Sequence, residues 1–139
     1  MKEQEFTLVF EAPSVADFLQ LRSTVGWAKI NAKLVKKSLI NSLFHILVYH
    51  NQQLVGMGRV VGDGALYFYI QDVVVAPTHQ RLGIGAALME HIEAYIDKNA
   101  EQGATIGLMA AQGKEDFYRR YGYLQRPTAI LGHGMCKFL

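Results

Sequence analysis

The sequence predicts a mixed α/β fold, a sheet covered by helices, on three observations. Two β-rich runs, Phe44 to His50 and Leu54 to Val61, are joined by the polar Asn51-Gln52-Gln53, a hairpin connection. A third run, Leu66 to Val75, passes through Pro77 into a basic, glycine-spaced turn and then an amphipathic helix. After that helix the apolar Thr105 to Ala110 returns as a strand, so one strand-helix-strand crossover accompanies the hairpins.

The elements follow in order. Phe6 to Phe10 reads as a strand, and Pro13-Ser14-Val15-Ala16-Asp17 as a helix start that carries Phe18, Leu19 and Leu21 inward and ends near Gly26. Ile30 to Leu43 sets Ile30, Leu34, Leu39 and Leu43 near helical spacing, with Lys29, Lys33, Lys36 and Lys37 toward water. Gly62-Asp63-Gly64 makes the next turn. From Gly83 to about Lys98, Ile84, Ala87, Leu88, Ile92, Tyr95 and Ile96 form the inward face, and Glu90, Glu93 and Asp97 look outward. Glu115 to Tyr121 is a short helix stopped by Gly122, and Tyr123 to Leu139 makes two terminal strands around Pro127 and Gly132. The order is βααβββαβαββ, without repeat or linker, as one domain over residues 1–139.

Composition narrows the function. Fourteen Lys+Arg against twelve Asp+Glu give a formal charge of +2, and the basic residues form no single stripe, which argues against nucleic acid as a partner. The one cysteine, Cys136, excludes an intrachain disulfide and a cysteine cluster, and fits a reducing compartment, the cytoplasm by default. The charged start Met1-Lys2-Glu3-Gln4-Glu5 precedes no long apolar run, so neither a signal peptide nor a membrane association is expected. No pair of the five histidines has metal-ligand spacing, so no metal is expected. Exposed sheet edges allow a homodimer.

The segment Val73 to Met89 carries the chemistry. Glycine lets backbone approach an anion, the first helical N–H groups lack intrahelical partners, and the macrodipole adds about half a positive charge there. Backbone N–H groups from Arg81 to Ala86, with Gly83 and Gly85 between them and Arg81 beside them, therefore suit a phosphorylated ligand. Within the strand, Gln71 and Asp72 are polar residues in an apolar run, open to structural or functional use. The sequence holds no G-x-x-x-x-G-K-[ST] and no full dinucleotide fingerprint.

Gln80-Arg81-Leu82-Gly83-Ile84-Gly85 resembles the Q/R-x-x-G-x-G/A motif of the GCN5-related N-acetyltransferases (GNAT), preceded by a matching Val75-Ala76-Pro77. Phe117-Tyr118-Arg119-Arg120-Tyr121-Gly122-Tyr123 resembles that family's F-Y-x-x-x-G-F/Y segment, and the element order matches over nearly the whole chain. The resemblance implies an acyl-CoA N-acyltransferase fold and an acetyl-CoA-dependent enzyme acetylating a small-molecule amine, less readily a peptide or protein, by direct ternary-complex transfer. The cofactor would lie between the parallel strands of Val73 and Leu108.

It further implies pantetheine contacts by the Val73 and Val75 backbone, a strand N–H near Val73 or Val74 for the oxyanion, and the pyrophosphate on Gln80, Arg81, Leu82, Gly83, Ile84, Gly85 and Ala86. By the same resemblance Tyr118 protonates the departing thiolate. Asp72 is the amine's proton acceptor or orients its ammonium, with ordered water as the other candidate base. Where relatives carry Asn after the fifth strand this sequence has Ala111, so that cofactor contact is either missing or replaced by Gln112 or Lys114. Trp27, Phe44, Tyr67 and Tyr69 are candidates to line an acceptor pocket or to serve as core. The alternative reading is a non-catalytic acetyl-CoA-binding regulatory module.

Overall fold

In a computed structural model, residues 5–139 are described; the charged start at Met1 to Gln4 lies outside them. The chain forms two compact units, one reaching to Leu108 and the other Met109–Leu139.

The first unit is built on a five-stranded sheet in which neighbours in sequence are neighbours in space: β1 (Thr7–Val9), β2 (Phe44–His50), β3 (Gln53–Gly62), β4 (Tyr67–Val75) and β5 (Thr105–Leu108). The first four pair antiparallel and β4 pairs parallel with β5. The β2–β3 connection needs only Asn51 and Gln52, at φ 50° and 65°, because two left-handed residues match the twist of the paired strands. Gln53, expected in the turn, begins β3.

Helix α1 (Val15–Thr24) starts where Ser14 Oγ accepts the Asp17 N–H at 3.1 Å; helix α2 (Ala32–Ile40) starts where Asn31 Oδ1 accepts from Lys33 at 2.9 Å. Val35 and Leu39 form the buried stripe of α2, whereas Leu34, expected inside, is 60% exposed because it lies one position off that i, i+4 stripe. Helix α3 (Ile84–Asn99) buries Ile84, Leu88, Met89, Ile92 and Ile96. It covers the face of β3 that carries Gly56 and Gly58; Arg59, on the opposite face, reaches Ser38 of α2. Ile46, Val55, Val60, Leu88 and Ile92 are fully enclosed, each contributing roughly 2 kcal/mol of transfer free energy.

The second unit contains helix α4 (Glu115–Arg119). It ends two residues earlier than expected, as Tyr121 and Gly122 donate to Tyr118 and Arg119 in tighter i to i+3 turns and Gly122 turns left-handed at φ 90°. The two terminal strands do not form. Local bonds occupy that backbone instead: Thr128 N–H donates to Leu131 C=O at 2.8 Å, Leu131 N–H to Thr128 Oγ1 at 3.0 Å, and Arg126 Nε to Gly132 C=O at 2.6 Å. Among the described residues no helix is long and apolar enough to cross a membrane.

Candidate functional site

The site begins where β4 outruns its neighbour. Pairing with β5 stops at Ile70–Leu108, yet β4 continues to Val75, still held by β3 through Met57–Val74 and Gly56–Val75. Among the described residues, the five from Gln71 to Val75 therefore have a strand on one side only. Two steps along β3, Met57 to Arg59, match three along β4, Gln71 to Val74, so β4 carries one extra residue there. Asp72 takes the left-handed conformation within that bulge, at φ 56°.

Beyond β4, Pro77–His79 forms a single 3-10 turn, and Arg81 and Gly83 both turn left-handed, at φ 65° and 86°. Gly83 caps α3 without a side-chain bond, and Ala87 N–H is the first to find a helical carbonyl, on Gly83. The N–H groups of Ile84, Gly85 and Ala86 thus open the helix with no intrahelical acceptor. A Cβ added at Gly83 would meet nothing within 4 Å, so the space beside the turn at this position is open. The residues fit a pyrophosphate: Arg81 and Leu82 are exposed beside the helix start. Gln80 is engaged differently, its Nε2 donating to Val75 C=O at 3.2 Å and bracing the turn against the end of β4.

Asp72 is 4% exposed and does not stand free. Arg22 Nη1 of α1 donates to Oδ1 at 2.7 Å and Arg59 Nε of β3 to Oδ2 at 2.8 Å. Arg59 also donates to Ser38 and Ser42 Oγ at 2.9 Å each, and both guanidinium groups lie near the Phe18 ring, at 5.6 and 5.8 Å. Arg22 Nε is buried without a hydrogen-bond partner among the described residues. Neither arginine was singled out by sequence reading. The signal was available in Arg59, a lone charge in the apolar run of β3, opposite the lone acid of β4.

Beside this cluster lies an open groove of about 550 Å³, lined among others by Leu34, Lys37, Asn41, Arg59, Tyr69 and Gln71. Of the aromatic candidates Tyr69 is there; Phe44 stacks on Tyr95 at 4.7 Å, Trp27 lies under Arg22 at 4.9 Å, and Tyr67 is 63% exposed. His45 Nε2 donates to Leu39 C=O at 3.0 Å, and burial, opposed by this bond and aided by Arg59, lowers its pKa. His50 and His79 meet at 2.9 Å between ring nitrogens, and among the described residues no group of three or more His, Cys, Asp or Glu converges on a metal position.

In the second unit, Tyr118 is half-buried on α4 with Phe117 edge-on at 5.0 Å, and burial pushes its phenol above the usual 10. Gln112 is exposed in a tight turn closed by Lys114 N–H on Ala111 C=O at 2.9 Å, with Gly113 at φ 85°.

The comparisons with known proteins agree with this geometry. A family model for the acetyltransferase (GNAT) domain matches residues 19–136. The chain is 31% identical over 131 residues to the uncharacterized N-acetyltransferase ycf52-like of Prochlorococcus marinus, covering 88% of this chain and 71% of that one. It is 35% identical over 117 residues to the uncharacterized N-acetyltransferase ycf52 of Porphyra purpurea, covering 81% and 66%. A crystal structure of a probable acetyltransferase of unknown function from Staphylococcus aureus superposes with a TM-score of 0.89 at 30% identity, covering 97% of this chain and all of that one. A strand paired on one side, running into a glycine-turned helix without a side-chain cap, is thus accompanied by matching sequence along most of the chain, which belongs to the GNAT family of N-acetyltransferases.

Proposed function

We propose that the protein transfers the acetyl group of acetyl-CoA directly to an amine of a small molecule within a ternary complex. The overhang of β4 and its continuation into the start of α3 carry this reading: an extended amide chain ending in a pyrophosphate matches a one-sided strand that leads to orphan N–H groups. Acetyl-CoA supplies an activated thioester carbonyl. The backbone of Val73 and Val75 holds the arm, an N–H near Val73 or Val74 faces the carbonyl oxygen as it gains charge, and the N–H groups from Arg81 to Ala86 take the pyrophosphate. Tyr118, its phenol kept neutral by burial, donates its proton to the departing sulfur.

The amine proton passes to water in this reading, and Asp72 acts as the anchor of Arg22 and Arg59. Both of its oxygens already accept guanidinium donors, which supports that division of roles. Gln112 takes the cofactor contact that Ala111 cannot make. The family match across residues 19–136 supports reading the chain as a single domain, and the lone Cys136 supports a reducing, cytoplasmic setting.

Calorimetric titration with acetyl-CoA, followed by thiol release with an amine panel, tests the assignment. Saturable binding that Gly85→Glu abolishes, with amine-dependent thiol release, is the expected result. Absence of binding overturns it.

A further inference from the structure

The groove beside α2 has a charge character that the transfer reaction alone does not explain. Leu34, Lys37, Ser38 and Asn41 recur at helical spacing and bring one face of α2 to its wall; Arg59, Tyr69 and Gln71 line it from the sheet. Among the described residues that line it two are cations and none is a carboxylate. Behind that wall the ion cluster is unbalanced. Arg22 and Arg59 share the single carboxylate of Asp72, and no second acid pairs with either among the described residues. One positive charge is left over in a place where the side chains of Arg22, Arg59 and Asp72 are only 13%, 11% and 2% exposed. An uncompensated charge held away from water is costly, and a counter-charge arriving from outside offsets that cost.

We propose that the amine acceptor also bears an anionic group, a carboxylate or a phosphate, and that this groove receives it between Lys37 and Arg59. The proposal rests on the transferase reading for the direction of the amine. Gln71, at the groove's edge, is the first residue of β4 beyond its pairing with β5, where the acetyl group would be delivered. The anion at Lys37 then turns the amine toward Gln71 and the following backbone. A volume of about 550 Å³ suits a small molecule. Lys37 is exposed at the rim, so it attracts the anion on approach, while Arg59, fixed by Asp72, Ser38 and Ser42, offers a preorganised field that a flexible side chain cannot. A polycation would meet repulsion from the same wall.

The test uses amine pairs that differ by the anionic group: tyrosine against tyramine for the carboxylate, and glucosamine 6-phosphate against glucosamine for the phosphate. Calorimetry with the full chain reads binding whether or not acetyl transfer occurs, and thiol release reads transfer. The anionic member of at least one pair should bind about tenfold more tightly than its neutral counterpart, and Lys37→Glu should erase that preference. Which pair responds tells carboxylate from phosphate. Equal binding, no binding of either member, preference for the neutral amine, or a preference indifferent to Lys37→Glu overturns the proposal. Anion-selective binding without acetyl-CoA binding or thiol release overturns the transferase reading and leaves the groove assignment standing.

Discussion

Arg59 Nε meets Asp72 Oδ2 at 2.8 Å across β3 and β4, at the place where β4 carries its extra residue. The bulge and the ion pair explain each other. A left-handed aspartate costs roughly 1 kcal/mol of backbone strain, and the conformation aims its carboxylate at the two arginines that hold it.

Removing the acid should therefore act on stability first. Asp72→Asn leaves two buried guanidinium groups without a counter-charge and is expected to cost about 3 kcal/mol in urea unfolding. Arg22→Gln added to Asp72→Asn should recover part of that loss. Residual Asp72→Asn enzyme should keep the shape of the wild-type pH–rate profile; a lost acidic limb would return the proton-accepting role to Asp72.

The glycines of β3 set how near α3 lies. A Cβ at Gly56 would stand 2.7 Å from Ile84 Cγ2 and 3.4 Å from Val48 Cβ, whereas at Gly58 the nearest atom is the far end of the Ile92 side chain, Cδ1, at 2.9 Å. Gly56→Ala should cost roughly 2 kcal/mol, and Gly58→Ala less. Because Ile84 opens α3, Gly56→Ala should also weaken acetyl-CoA binding, which calorimetry compares directly for the two variants.

At Gly83 space is open but φ is 86°, so Gly83→Ala should lose only about 1 kcal/mol of conformational origin in thermal unfolding. Gly85→Glu brings a carboxylate to the phosphate donors and should reduce acetyl-CoA affinity more than tenfold while the protein stays folded.

For Tyr118→Phe the proposed proton donation predicts a kcat about 100-fold lower with acetyl-CoA affinity nearly unchanged. Since burial raises the phenol above 10, loss of the wild-type rate from its ionisation should begin at higher pH than for a free phenol. Equal falls in affinity and kcat would make Tyr118 a packing residue.

His45 makes stability depend on pH. Its folded pKa lies below 6.5 through burial, so the unfolded chain binds the proton more readily. Its contribution is full above 6.5 and is lost as pH falls from there through the folded value. His45→Gln should flatten the midpoint-against-pH curve in that window, as read by thermal scans at several pH values.

Much of the sheet was legible because its signals are local: alternating β-formers, a polar hairpin connection and the proline that closes β4. The start of α3 was legible for the same reason, glycines and orphan N–H groups being fixed by a few adjacent residues. Leu34 was misplaced because one step around a short helix separates the core from the groove. The cluster of Arg22, Arg59 and Asp72 was missed because its partners are 50 and 13 residues apart in sequence and meet only through the fold. The terminal strands were expected from β-forming residues alone, yet side chains such as Thr128 and Arg126 bind their own backbone and compete with any ladder.

The half-dressed stretch of β4 makes sheet integrity and ligand occupancy one thermodynamic variable. Five consecutive residues are left for something other than a neighbouring strand of this sheet to complete. A substrate that pairs there becomes a temporary structural member, contributing cohesion to the fold while it waits to react and withdrawing it on departure. Those amide hydrogens between Gln71 and Val75 that point away from β3 should then exchange slowly only while the arm is in place, so the enzyme's resting supply of acetyl donor would be written into the breathing of β4.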